Sequence, residues 1–292
     1  MDKKKALLLA LLAQVLWGIL PLYWKILAFI PPYQILAQRM VWSLVMLHLA
    51  IYFIKGRGYS RKLIRDRSHW RGSALGGIFV TANWFIYIWA VNSGFVLESS
   101  LGYYILPLMT GLLALLSGEK LRRVQWVAYG LAAVGVVIST LALGRFPWVA
   151  LLLSGTFTVF TYLKRESPLD SLDSLYTETL FVAPVALIFL VYWEFTGQGI
   201  SGNFSSLNWL LLSTTGIVTA LPLLLFGYGA KELSLNINAF IQYISPSFTF
   251  LLGVFVFKEE FDLLRLASFV FIWLGVLVFT RDQIRRGRKK EA

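Results

Sequence analysis

The chain alternates long apolar runs with short polar segments. Ten runs of roughly 17–22 residues, enough to cross a hydrocarbon core of about 30 Å as a helix, fall at Ala6–Phe29, Tyr33–Ile54, Gly72–Val91, Leu97–Leu116, Val124–Leu143, Pro147–Leu163, Ser174–Trp193, Asn208–Tyr228, Asn236–Phe257 and Leu263–Thr280. Trp and Tyr gather near the ends of many runs, where amphipathic rings sit at a membrane–water interface. The pattern predicts an all-α integral membrane protein of ten transmembrane helices.

Composition agrees. Of 292 residues, 58% are hydrophobic and 14% charged, against about 25% charged in soluble domains. Mean hydropathy is +0.69. The apolar run after Met1-Asp-Lys-Lys-Lys continues through Trp17 and Tyr23 with no small-residue cleavage site, so the first run reads as an uncleaved helix. The absence of cysteine excludes disulfides and thiol chemistry. His48 and His69 alone make no zinc site, and no phosphate-binding glycine loop or nucleophile–base pair occurs, so neither enzyme chemistry, metal nor cofactor is expected.

The net charge of +12 is explained by placement. With an even helix count both termini share one side. The segments on that side hold 22 of the 27 Lys and Arg; the opposite loops hold Arg145 and Lys258, and Lys25, Arg39 and Arg265 lie inside predicted helices. This bias puts both termini in the cytoplasm of a bacterial inner membrane, with no role in nucleic-acid binding.

The chain also repeats itself at an offset near 140. Trp17 pairs with Phe157, Lys25 with Arg165, Gln38-Arg39 with Glu178-Thr179, Tyr104-Ile-Leu-Pro107 with Tyr243-Ile-Ser-Pro246, Glu119 with Glu259 and Gly135-Val with Gly275-Val. Residues 1–143 and 144–292, the latter ending in a basic cytoplasmic tail, thus form two five-helix repeats. Five is odd, so the second enters the membrane inverted, the arrangement of secondary transporters.

Several motifs resemble one family. Trp17-Gly-x-x-Pro21-x-Tyr-x-Lys25, Asn83-Trp with Ile88-Trp-Ala-Val-Asn92, Leu97-Glu-x-Ser-Leu-Gly-Tyr-x-x-x-Pro107-Leu, Val218-Thr-x-x-Pro222-Leu and Gln242-Tyr-x-x-Pro246 look like the RarD branch of the EamA-type permeases, in the drug/metabolite transporter superfamily. The resemblance implies two inverted five-helix halves around a substrate cavity, in a family whose relatives carry amino acids, drugs or other metabolites. Gln34 and Gln38 stand where the family usually has Glu and His, which removes titratable groups. Phe160-Thr-x-x-Lys-Arg165 stands for the family's Tyr-Gly-x-x-Arg-Lys.

The candidate substrate-binding residues are Arg39, Lys25, Trp17, Asn83, Tyr87, Tyr103 and Gln242. Charged groups in lipid are costly and turn inward. Arg39 lies too deep to reach the interface easily, so it either meets an anionic group or pairs with an acid. Lys25 shares a face with Trp17 and Pro21 at four-residue spacing, with snorkelling as the alternative. Asn83, Tyr87 and Tyr103 could line an aromatic cavity or simply pack. Glu98 and Glu178 are candidates for coupling or ion pairing: Glu98 as counter-ion to Lys25 or Arg39 or as a helix-start carboxylate, Glu178 as a proton carrier or an acidic first turn. Pro21, Pro107, Pro222 and Pro246 are candidate hinges, and Gly102, Gly111 and Gly253 candidate packing positions. The reading is an alternating-access permease for a small metabolite, amino-acid-like or drug-like solute, its partners being the bilayer, that solute and protons; the alternative is an uncoupled facilitator or channel for a small organic anion.

Overall fold

The computed structural model describes residues 2–200, 202, 204–256 and 263–291. Phe257, Lys258 and Glu259, and with them the Glu119–Glu259 match and one of the two outer cations, lie outside the described residues. The side chains of Asn92 and Arg265 do so as well.

Every described regular element is an α-helix: α1 (Lys3–Ile26), α2 (Pro32–Lys55), α3 (Tyr59–Arg65), α4 (Trp70–Asn92), α5 (Val96–Leu116), α6 (Arg123–Leu143), α7 (Trp148–Glu166), α8 (Ser171–Phe195), α9 (Ser206–Glu232), α10 (Leu235–Gln242), α11 (Ile244–Phe255) and α12 (Leu263–Glu291). Among the described residues nine spans, with Leu235–Phe255 taken as one, are long and apolar enough to cross a membrane. The sixth predicted run is the 19-residue helix α7, which falls outside those nine; its hydroxyl-rich middle and terminal Lys164-Arg165-Glu166 dilute it.

Three details depart from the sequence pattern. The basic segment after α2 contains the short helix α3. The ninth run is two helices, with Tyr243 as both the C-cap of α10 and the N-cap of α11. Pro246 explains this, since it has no N–H and its ring presses on the carbonyl four residues back, that of Gln242. The last helix runs on to Glu291, through most of the predicted tail.

Side chains are distributed inside out relative to a soluble protein. Phe53 and Phe195 are 78% and 86% exposed, whereas Lys164 and Glu98 are fully buried. Large apolar groups outside and polar groups inside suit a bundle solvated by lipid tails.

The helices fall into two compact units. The first comprises residues 1–88 and 159–232, the second 89–158 and 233–292. In the first, α2 packs on α8 and α9, and α1 on α9. α2 and α8 are antiparallel: Lys55 at the end of α2 meets Asp173 (2.7 Å) at the start of α8, and Tyr33 at the start of α2 meets Trp193 (4.9 Å between ring centres) near the end of α8. Glycine lets the crossing helices approach closely. A Cβ on Gly216 of α9 would stand 2.5 Å from the backbone of Trp42 on α2, and one on Gly77 of α4 would strike the Glu178 carbonyl on α8 and lie 3.2 Å from Val182. Gly216 and Val182 lie 140 residues beyond Gly76, the neighbour of Gly77, and Trp42, so the two crossings correspond to within one residue.

In the second unit α6 packs along α12, and α10 against α5. A Cβ on Gly135 would lie 2.6 Å from the Ser268 carbonyl, and one on Gly275 2.7 Å from the Ala128 carbonyl. Ser268 and Gly275 are the offset-140 counterparts of Ala128 and Gly135, so one contact is made twice, reciprocally, between antiparallel helices. Gly102 packs on Ala150 and Leu153 of α7, and Gly111 on the ring of Tyr129.

Candidate functional site

The first unit holds the densest buried polar cluster, built on α8. Asp170, its N-cap, accepts from the Asp173 amide (2.9 Å), as the bare N–H groups of a first turn require. Serines, threonines and acids then line the next two turns of the helix, where each finds a partner. Asp173 accepts from the Tyr59 hydroxyl (2.8 Å) and pairs with Lys55. Thr177 bonds Ser73 of α4 (2.9 Å), and Tyr176 bonds His48 of α2 (3.1 Å). Outside the membrane-spanning helices, burial works to raise the Asp170 carboxyl, but the Asp173 amide and the Lys55 ammonium outweigh it and hold it below its ordinary value. The bond to Asp173, with burial second, holds the Tyr59 phenol above its own.

Two turns into α8, Glu178 receives the ammonium of Lys164 on both oxygens (3.0 and 2.9 Å) and the Ser174 hydroxyl on one (2.6 Å). Lys164 also donates to Ser174 (3.1 Å). Glu178 is 4% exposed and Lys164 0%. Sequence reasoning places Lys164 in a cytoplasmic loop; it lies instead on the last turns of α7, facing inward. A bidentate, additionally hydrogen-bonded pair is the form in which two charges tolerate such burial.

Beside this pair lies a cavity of about 20 Å³, walled by Met40, Ser43 and Leu47 of α2, Gly77, Val80, Thr81 and Trp84 of α4, Leu175, Glu178, Thr179 and Val182 of α8, and Thr219, Ala220 and Leu223 of α9. That is room for about one water. The hydroxyls of Thr81 and Thr219 are buried in this wall without hydrogen-bond partners. Trp84 carries on its ring the guanidinium of Arg39, 3.8 Å from the centroid, with Trp24 at 5.6 Å. A cation this close to an indole face is held by its quadrupole.

Of the other sequence-predicted residues, the first unit contains Trp17, Pro21, Lys25, Asn83, Tyr87 and Pro222. Trp17 packs on Phe226 (5.4 Å), Asn83 and Pro222 are buried, and Lys25 and Tyr87 are exposed. Gln34 donates to the Gln198 carbonyl (2.5 Å), and Gln38 is buried beside it on α2. The second unit contains Glu98, Tyr103, Pro107, Gln242 and Pro246. Glu98 accepts from the Val149 amide (3.1 Å) at the start of α7 and pairs with Arg145 (2.7 Å). It thus lies in the first turn of its own helix, α5, and also supplies a carboxylate to the N-terminus of α7. Gln242 accepts from Thr110 (3.2 Å), at the break ahead of Pro246. Pro21 and Pro107 sit within unbroken helices. Glu119 takes the amides of Leu235 (2.7 Å) and Asn236 (3.2 Å), capping α10 from outside. Among the described residues no group of His, Cys, Asp and Glu is clustered to hold a metal ion.

An apolar-surfaced helical bundle with a buried ion pair beside a small, mainly apolar-walled cavity within one unit is a membrane protein of the permease class. The chain belongs to the EamA-like transporter family, whose model matches twice, at residues 4–141 and 146–281, and within it to the RarD type. It is 40% identical over its whole length to an uncharacterized transporter, YojE, of Bacillus subtilis (98% of that protein). It is 37% identical to Protein RarD of Streptomyces exfoliatus (100% of this chain, 93% of that protein) and 34% identical to Protein RarD of Escherichia coli (98% and 97%). A chain of known crystal structure shares the fold with a TM-score of 0.71 over 95% of this chain and 97% of its own, at 20% identity.

Proposed function

We propose that the protein is an alternating-access secondary transporter of ten membrane-spanning helices, α7 being the sixth, arranged as two inverted five-helix repeats (residues 1–143 and 144–292) with both termini cytoplasmic. The antiparallel packing of equivalent helices, α2 with α8 and α6 with α12, supports the inversion, and the charge bias supports the orientation. The cargo is a small amphipathic metabolite, amino-acid-like or drug-like, that carries an anionic group.

The observation that carries this reading is the cavity of the first unit, whose wall contains both Glu178 and Trp84, the ring beneath Arg39. Arg39 receives the substrate's negative charge, with Lys25, Trp17, Asn83 and Tyr87 as further contacts and Tyr103 and Gln242 as contacts in the second unit. Glu178 is the coupling carboxylate. Glu98 serves structure, since Arg145 and the α7 amide already engage it. Pro21, Pro107, Pro222 and Pro246 supply the bends.

The test is transport in proteoliposomes offered pooled amino acids and small organic acids, the vesicle contents being read by mass spectrometry. Wild-type protein accumulates a subset of the pool, and Arg39→Ala, incorporated to the same level, accumulates none of that subset. Equal accumulation by Arg39→Ala, or none by wild type, overturns the reading. An uncoupled facilitator, favoured by Gln34 and Gln38 at positions where relatives can titrate, would move the same solutes with no dependence on a pH gradient.

A further inference from the structure

Lys164 presents no surface to solvent, and the carboxylate that meets it is Glu178. An ammonium so placed keeps its charge only while an anion stands beside it, because its lost hydration is replaced by nothing else of comparable strength. From α8, Ser174 shares both groups. The cavity walls from α2, α4 and α9 present Met40, Ser43, Thr81, Trp84 and Thr219, none of them titratable, and Asp170 and Lys231 act on Lys164 from farther off. The balance at this point is therefore one cation and one anion.

Two features make the anion replaceable. The Thr81 and Thr219 hydroxyls stand in the cavity wall with no acceptor, although Glu178 borders the same space. Glu178 is seated against glycine on α4, where a Cβ on Gly76 would come within 3.1–3.3 Å of its side chain, and its other side borders the cavity, which is the space into which that side chain can turn. We propose that this pocket is a proton-linked carboxylate site, in which a small carboxylate replaces Glu178 as the partner of Lys164. A proton binds a Glu178 oxygen and neutralises it, the Lys164 ammonium is released, and the incoming carboxylate takes the ammonium while Thr81 and Thr219 donate to its oxygens. One proton and one negative charge enter together, and both leave when Glu178 ionises and rebinds Lys164. No covalent bond to the ligand forms or breaks. The cavity as described holds about one water, so the ligand enters the volume that Glu178 vacates. This inference deepens the transport reading and rests on it: it names carboxylate as the class of the cargo's charged end, which Arg39 receives first beside Trp84 and Lys164 takes over as Glu178 is protonated.

The test uses the full-length protein in detergent, formate as the probe, and infrared difference spectroscopy of the protonated carboxyl stretch. Glu178→Gln assigns the band. In wild-type protein, formate makes the Glu178 band appear at higher pH than it does in chloride at equal ionic strength. In the near-isosteric Thr81→Val/Thr219→Val variant, the formate concentration for half effect rises by about fivefold for each hydroxyl bond lost. A band whose pH does not respond to formate overturns the exchange. A response of undiminished sensitivity in the double variant overturns the placement of the anion in this cavity. The measurement is made at equilibrium without vesicles, so its failure leaves transport standing, and the Arg39 assay decides that separately.

Discussion

Replacing Gly135 or Gly275 with alanine tests the reciprocal crossing of α6 and α12. The added methyl would stand 2.6 Å from the Ser268 carbonyl or 2.7 Å from that of Ala128, where ordinary contact begins at 3.4 Å. The obstacle in each case is backbone, which cannot rotate away as the tip of a side chain could. The helices must separate by several tenths of an ångström, and a gap of 0.5–1 Å forfeits about a quarter to a half of each dispersion contact along the seam. In lipid, where no hydrophobic drive holds helices together, that packing is what joins them. The expected loss is about 1–3 kcal/mol for either variant, offset by at most about 1 kcal/mol from alanine's better helix propensity. Because the contacts correspond, the two losses should match within about 0.5 kcal/mol, and the double variant should lose less than the sum, since the second methyl enters a seam already parted. Gly130→Ala, on the same helix with nothing within 4 Å of a Cβ, serves as control and should be neutral or stabilising. Equilibrium unfolding of the micellar protein by SDS, followed by tryptophan fluorescence, gives all four values. Wild-type stability for Gly135→Ala, or full additivity in the double variant, would refute the reasoning.

Three further outcomes are expected. Glu178→Ala strands the Lys164 ammonium in the interior and should cost about 3–5 kcal/mol in the same unfolding assay, with Lys164→Met/Glu178→Leu recovering much of it, as replacement of a buried pair by apolar groups generally does. Asp170, held below its ordinary value when folded, stabilises the fold above the unfolded carboxylate range of about 4 and loses that contribution as pH falls through its folded value; a Lys55→Ala variant should show a shallower loss of thermal stability between pH 5 and 3. The natural chain has no cysteine, so single-cysteine variants label without background: Ser93→Cys should react with a membrane-impermeant maleimide in intact cells and Arg61→Cys only after lysis, and the reverse pattern would invert the topology.

Much of this architecture was legible in the chain. Apolar run length located the helices, because a continuous apolar run of that length satisfies its own backbone in lipid as a helix, and the Gly135–Gly275 match in the repeat proved to mark a close crossing of α6 and α12. The motif resemblance agrees with the family match at 4–141 and 146–281. The site was less legible. Lys164 precedes Arg165 at the end of an apolar run, and two adjacent cations beside a loop carry no periodicity to say which turns inward. Its partner lies 14 residues on, across a turn, so only the packing of α7 on α8 brings them together. The one available signal was Phe160-x-x-x-Lys164, an aromatic and a cation on one face of a helix. Arg145 lies in a loop, as the run pattern indicates, and Glu98 starts its helix, as its position indicates; only their pairing and the contact of Glu98 with α7 needed three dimensions. The break at Tyr243 illustrates a different limit: Pro107 and Pro246 occupy matching positions, yet only the second interrupts its helix.

The α6–α12 crossing has a mechanical consequence. Its two glycine contacts are seven residues apart on each helix, about 10 Å along the axis. A rod touching another at one point can pivot; touching at two, it can neither pivot nor slide without leaving both seats. This pair is therefore the stiff member of its unit, and whatever flexing that unit undergoes falls to its proline-bearing helices, α5 at Pro107 and the one already broken ahead of Pro246.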